Sequence, residues 1–166
     1  MRKLIIAVVI IWGISLFTIT GADACGDKLL RIGRGARFQR SMLPASVLIY
    51  VPSNAPAEAS RNGPKLQSFL KKAGHKANIA QGEDQLGQLL NSGQYDVVLT
   101  TLADASIVES HAGISTSKPI VVPMMFSATK TEVAAAKKRY RCMVKNPNDG
   151  DQYLDAIELA MRSRHG

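Results

Sequence analysis

A short apolar run occupies residues 95–102 and reads Tyr-Asp-Val-Val-Leu-Thr-Thr-Leu. It follows Gly93, is rich in β-branched residues, and its apolar positions are continuous instead of alternating with polar ones. Continuous runs of this length are typical of strands that are buried on both faces. We therefore predict that residues 95–102 form the central strand of a sheet.

Strand-like and helix-like patterns alternate on both sides of this run. Apolar runs predict further strands at residues 46–51, 76–80, 118–126 and 141–145. Apolar positions at helical spacing predict helices ending near Gly74, at 82–93, 103–111 and 129–140, and from Asn148 onward. Five strand–helix units in succession predict a parallel sheet with right-handed crossovers on both faces. The pattern thus predicts one α/β domain over residues 45–166, a three-layer α/β/α sandwich with a five-stranded parallel sheet.

Two prolines interrupt these patterns. Pro64, after Asn62 and Gly63, leaves open whether the first helix begins near Pro64 or residues 55–63 form a loop with one short turn. Pro123 lies late in the fourth predicted strand, where it favours an early end or a bulge because proline cannot donate a ladder hydrogen bond.

The first 24 residues have the three parts of an export signal. Met1-Arg2-Lys3 is basic, residues 4–19 are mainly apolar, and Ala22-Asp23-Ala24 has the small-x-small form of a cleavage site. We expect residues 1–24 to be a signal peptide and the mature protein to be periplasmic or extracellular. The alternative is a permanent membrane anchor, since about 17 apolar residues are the lower limit for spanning a bilayer.

The two cysteines leave several alternatives open. Cys25 directly follows the cleavage signal, which is where bacterial lipoproteins are acylated, although they usually have an aliphatic residue at the position of Ala22. Lipidation of Cys25 would anchor the protein to a membrane. In an oxidising compartment Cys25 and Cys142 could instead form a disulfide. The remaining alternative for Cys142 is a small buried apolar residue.

The chain is basic, with a formal net charge of +8. Part of the excess lies in residues 25–44, an arm in which an arginine recurs every third residue around two glycines. These residues are Arg31, Arg34, Arg37 and Arg40. We expect a solvated arm that favours a membrane surface or an acidic partner. Nucleic acid is not expected as a partner, because an exported chain with 5% aromatic residues has few side chains to stack on bases.

Three of the strand patterns carry a family resemblance. Residues 95–100 (Tyr-Asp-Val-Val-Leu-Thr), 118–122 (Lys-Pro-Ile-Val-Val) and 143–145 (Met-Val-Lys) resemble the third, fourth and fifth strands of the receiver domain of bacterial response regulators. Ser127-Ala128 resembles the hydroxyl-Ala pair after the fourth strand, and Lys145 the lysine that contacts the phosphoryl group. The resemblance covers residues 45–164 and implies a flavodoxin-like order of the sheet.

The chain departs from the receiver pattern where the family's chemistry resides. Val51 and Pro52 stand at the positions of the two metal-binding carboxylates, and Thr101 at the phosphoacceptor. A threonine hydroxyl is a poor substitute because it is neutral and, from the sequence, has no adjacent base. Cys142 stands where the family often has an aromatic switch residue, and Asn146 separates Lys145 from the following proline.

Other catalytic patterns are weak. Ser127, His111 and Asp104 have the residue types of a triad, but no Gly-x-Ser-x-Gly turn surrounds Ser127. The three histidines, His75, His111 and His165, lack the spacing of metal ligands. We expect no catalytic residues, no metal site and no cofactor, with an envelope hydrolase as the least favoured function.

Two binding functions remain. The leading hypothesis is an exported, degenerate receiver-like domain that binds another cell-envelope protein. The alternative is a small-molecule or small-anion binder that uses the carboxyl ends of the parallel strands. Its candidate residues carry hydroxyls or an ammonium group, and they are Ser53, Thr100, Thr101, Ser127 and Lys145.

Overall fold

The computed structural model describes residue 41 and residues 43–55, 57–126 and 128–165 of the 166-residue chain. The predicted signal peptide, Cys25, the four arginines of the arm and Ser127 lie outside the described residues. Within the described residues, no helix is both long enough and apolar enough to cross a membrane.

Four parallel strands of the described ranges form the sheet, in the order β2-β1-β3-β4. They are β1 (Ser46–Val51), β2 (Lys76–Gln81), β3 (Val97–Thr101) and β4 (Ile120–Met124). Within β3, residues 97–100 are all buried, as the continuous apolar run predicted. The structure thus confirms the predicted run as an inner strand, because β3 has β1 on one side and β4 on the other.

In the part of the chain that the structure describes, five helices cover the two faces of the sheet. They are α1 (Ala57–Lys72), α2 (Gly82–Ser92), α3 (Ala105–Ile114), α4 (Lys130–Arg139) and α5 (Gly150–His165). Apolar residues of α1 and α5 share one core cluster with the strands, whereas those of α2 and α3 share another. A smaller third cluster joins α4 to the start of α3. The predicted three-layer α/β/α fold with a parallel sheet is confirmed.

The segment predicted as the fifth strand, residues 141–145, pairs with the sheet at one point, the parallel bridge between Met124 and Val144. Val144 N donates to Pro123 O at 2.9 Å, and Met125 N donates to Val144 O at 2.9 Å. The next pair back along this ladder would need an N–H on residue 123, and proline has none. Pro123 therefore does not end β4. It limits the pairing of residues 141–145 with β4 to one bridge. That segment still lies fifth in the sheet, as in a flavodoxin-like order.

Two helices differ from their predicted bounds. Helix α1 begins at Ala57 and continues through Pro64, so both alternatives that the sequence left open for residues 55–63 were wrong. Helix α3 begins two residues later than predicted and extends to Ile114. The later start leaves residues 102–104 as a turn at the carboxyl end of β3.

His75 lies at the opposite edge of the sheet, between α1 and β2, and is 4% exposed. Its Nδ1 accepts a hydrogen bond from Ala45 N at 3.1 Å, so the neutral ring carries its proton on Nε2. Nε2 is buried and has no hydrogen-bond partner in the described part of the chain. Burial lowers the pKa of His75 below its usual 6.5, because the interior disfavours the charged ring.

We predict that His75 makes the folded protein sensitive to mild acid. Because its folded pKa lies below the unfolded value, stability is full above about pH 6.5 and falls as the pH drops below it, where the unfolded chain takes up a proton that the fold excludes. His75→Asn keeps an acceptor for Ala45 N without a titrating ring. Urea unfolding between about pH 5 and pH 8 should show a weaker loss of stability in His75→Asn.

His111→Asn is the matched control, since His111 is half-buried on α3. Because His75 is retained, this variant should still lose stability below about pH 6.5. Equal pH dependence in His75→Asn and the unaltered protein would show that His75 is not responsible.

Candidate functional site

The carboxyl ends of three strands meet at one edge of the sheet, as parallel strands require. Pro52 follows β1, Thr101 ends β3 and Met124 ends β4. A cavity of about 640 Å³ opens at this edge. We call it the strand-end cavity; its volume falls within the range of sites that hold small organic molecules.

The wall of the strand-end cavity is largely apolar. Its apolar residues come from the strand ends, the loop before α4 and one face of α4, and include Leu102, Met124, Phe126, Ala128, Ala136 and Tyr140. The polar side chains come from the end of β3, from the loops, from the first turns of α3 and α4, and from the last turn of α4. They are Asn54, Thr101, Asp104, Ser106, Glu132 and Arg139.

Thr101 and Asp104 are joined directly across the turn that precedes α3. Thr101 Oγ1 donates to Asp104 Oδ2 at 2.5 Å, and Asp104 N donates back to Thr101 Oγ1 at 3.3 Å. The sequence predicted no base beside Thr101, and that prediction was wrong. A carboxylate is nevertheless a weak base for deprotonating an alcohol, and enzymes more often use histidine for this step.

Glu132 reaches the cavity from the first turn of α4. Its Oε2 accepts from both Thr129 N and Thr129 Oγ1 at 2.8 Å, and Glu132 N donates to Thr129 Oγ1 at 3.3 Å, which completes a capping box. These two hydrogen bonds lower the pKa of Glu132, so the carboxylate stays ionised at neutral pH.

Arg139 lies at the other end of α4 and pairs with Glu109 of α3. Its guanidinium also lies over the ring of Tyr140, 5.4 Å from the centroid. Burial raises the pKa of Tyr140, and the nearby carboxylate of Glu109 raises it further. The one guanidinium in the described lining of the cavity is therefore already balanced by a carboxylate.

The structure separates the candidate residues that the sequence grouped together. Thr101 lines the strand-end cavity, whereas Lys145 lines a second, smaller cavity of about 280 Å³ with Asn62, Asn146 and Asn148. Phe126 lines both cavities. Ser53 is exposed and lies beside Gly82, where an added Cβ would come within 2.6 Å of Ser53 Oγ.

Of the other proposed site residues, Cys142 is 2% exposed and belongs to the core between β4 and α5. This position fits the alternative of a small buried apolar residue, while its pairing with Cys25 stays a prediction. Asp104 bonds to Thr101, and His111, the second member of the weak triad, lies against Gly87 of α2. No three His, Cys, Asp or Glu side chains of the described ranges come together as a metal site would require.

Sequence reasoning missed Glu132, Arg139 and Tyr140 as lining residues. In the sequence, the spacing of Thr129 and Glu132 marks Glu132 only as a helix-start residue. A parallel sheet places the start of each following helix above its carboxyl edge, so the first turn of α4 was the available signal. Nothing comparable marked Arg139 and Tyr140, which reach the cavity because α4 lies across its side.

Thr100 precedes Thr101 but lies inside the sheet, 0% exposed. Its Oγ1 has no hydrogen-bond partner within the part of the chain that the structure describes. A buried hydroxyl without a partner costs about 1–3 kcal/mol of lost hydration.

We predict that Thr100→Val stabilises the protein by about 1 kcal/mol, because valine keeps the shape and removes the unpaired hydroxyl. Urea unfolding at neutral pH measures the change. Thr101→Val is the matched control: it removes a hydroxyl that bonds to Asp104 and should stabilise less or destabilise. A loss of stability in Thr100→Val would mean that this hydroxyl has a partner.

No protein-family model and no curated protein matches the sequence. Among solved structures, the chain is similar to a response regulator protein from Burkholderia pseudomallei, whose crystal structure contains a phosphorylated aspartic acid, a calcium ion and citrate. The TM-score is 0.50 at 13% sequence identity, over 72% of this chain and 71% of the other. The fold is receiver-like. At this identity the similarity concerns the fold alone, and the chemistry of the receiver-like site must be argued from the residues of this chain.

Proposed function

We propose that this protein is an exported receiver-like domain that binds a cell-envelope protein and does not undergo phosphoryl transfer. The observation that carries the proposal is the residue at the carboxyl end of β3, Thr101, which stands where the receiver resemblance implies the phosphoacceptor. Thr101 offers a neutral hydroxyl there in place of a carboxylate.

The residues at the carboxyl end of β1 support the same conclusion. The receiver resemblance implies two metal-binding carboxylates at Val51 and Pro52. Val51 is half-buried and packs on the core that β1 shares with α1 and α5, and Pro52 is buried beside the strand-end cavity. Neither side chain offers oxygen, which is the ligand that magnesium and calcium need.

We predict that acetyl phosphate with magnesium leaves the protein unmodified. Neither Val51 nor Pro52 supplies a carboxylate to bind the metal that would neutralise the transferred phosphoryl group, and a threonine hydroxyl is a poor nucleophile. Intact-mass measurement detects the gain of one phosphoryl group, and an ordinary receiver domain serves as the positive control. Thr101→Asp alone should also stay unmodified. A stable adduct on Thr101 would contradict the proposal.

We predict that the protein crosslinked in intact cells is recovered from the envelope fraction with one stoichiometric partner. Its intact mass should equal that of a chain beginning at Cys25, and an additional mass of acyl groups would identify a lipoprotein. The control is Ala24→Leu, which removes the small residue before the cleavage point and should retain residues 1–24. Retention of these residues in the unaltered chain, or recovery without any partner after crosslinking, would argue against the proposal.

Small-molecule binding is the second candidate, favoured by the strand-end cavity at the edge where open α/β sheets hold ligands. The small-anion version of this candidate places the ligand at Lys145. That residue lines the smaller cavity, so the anion version and the strand-end cavity are two separate sites.

A further inference from the structure

The charged side chains of the strand-end cavity do not balance one another. Asp104, Glu132 and Arg139 all line it, and Arg139 is paired with Glu109. No described ion pair involves Asp104 or Glu132. The lining therefore carries two carboxylates that no described lysine or arginine neutralises, and an anionic ligand would meet repulsion there.

Each of these carboxylates keeps one oxygen available. Asp104 uses Oδ2 for the hydroxyl of Thr101, and Glu132 uses Oε2 for both hydrogen bonds from Thr129. In the described structure neither Asp104 Oδ1 nor Glu132 Oε1 accepts a hydrogen bond. Because one oxygen of each carboxylate is held by a hydrogen bond, the other oxygen is already oriented to accept a hydrogen bond from a ligand. This orientation reduces the entropy lost on binding.

The rest of the wall suits an apolar body. Leu102, Met124 and Ala136 are aliphatic, and Phe126 and Tyr140 present aromatic rings. Aromatic rings also attract cations through their negative faces. A ligand that combines a positive group with a short apolar body would use both the carboxylates and the wall.

The geometry points to a small organic cation as the ligand of the strand-end cavity, an ammonium or guanidinium group carried on a short apolar body. The positive group donates to Asp104 Oδ1, with Glu132 at the mouth, and the apolar body lies against Phe126 and Met124. This inference rests on the second candidate function above and gives it a ligand class. It does not depend on whether the domain can be phosphorylated.

Three probes with one ring and different charges test the inference. They are 2-phenylethylammonium, the neutral 2-phenylethanol and the anionic 3-phenylpropanoate, each titrated into the purified protein at low ionic strength by calorimetry. The cation should bind about tenfold more tightly than the alcohol, the size of one charge-assisted hydrogen bond. The propanoate should bind more weakly than both, and added salt should weaken the cation most.

Variants locate the site. Asp104→Asn should reduce affinity for the cation about tenfold and leave the alcohol unchanged. Glu132→Gln should have a smaller effect, because Glu132 is exposed and water screens its charge. Asp151→Asn, an exposed carboxylate on α5, is the control and should change nothing. Ala135→Phe, at an exposed position of the lining, should exclude all three probes. Melting curves check that each variant is folded.

The other outcomes overturn the inference in different ways. Equal binding of the three probes would retain the cavity as an apolar site and reject the charge argument. Tighter binding of the propanoate, abolished by Lys145→Met, would favour the anion site instead. Binding that survives Ala135→Phe would place the ligand elsewhere. Failure of all three probes would reject small-molecule binding here, while the phosphoryl-transfer experiment would be unaffected.

Discussion

The pairing of β1 with β3 determines where the other elements can lie. Val47, Leu48 and Ile49 align in parallel with Val97, Val98 and Leu99, and all six are buried. Since successive side chains point to opposite faces, this short ladder supplies apolar groups to both cores, which then require helices on both sides. Parallel pairing also brings the ends of β1 and β3 to one edge, which is why a cavity forms beside Pro52 and Thr101.

The two edges of the sheet use their carboxylates differently. At the amino edge, Asp96 accepts from Ser46 N at 2.8 Å and from Arg164 Nη1 at 3.2 Å, so both of its oxygens are engaged. Arg164 also donates to Ser117 O at 2.8 Å and so joins the end of α5 to the strand starts. At the carboxyl edge, Asp104 is engaged through one oxygen. The carboxylate at the amino edge therefore stabilises the fold, whereas the one at the carboxyl edge retains an oxygen that can accept a further hydrogen bond.

The sequence predicted the fold better than the site because burial leaves a periodic signal and side-chain proximity does not. The apolar run at 95–102 was sufficient to predict β3. The effect of Pro123 on its neighbour was not predictable, since it depends on which side of β4 the missing N–H would face. Likewise, the receiver resemblance implied that Thr101 and Lys145 share a pocket. The structure places them in the linings of two cavities that meet at Phe126.

The charge of the whole chain is a poor guide to the ligand of this cavity. A formal net charge of +8 favours anionic partners, and four arginines of the arm account for half of that excess. At physiological ionic strength, however, exposed charges more than about 8 Å apart are largely screened. The ligand inferred for the cavity would instead interact with Asp104 and Glu132, which line it. A basic surface that attracts an acidic partner and an acidic cavity that accepts a cation can therefore coexist in one domain, because the two interactions act over different distances.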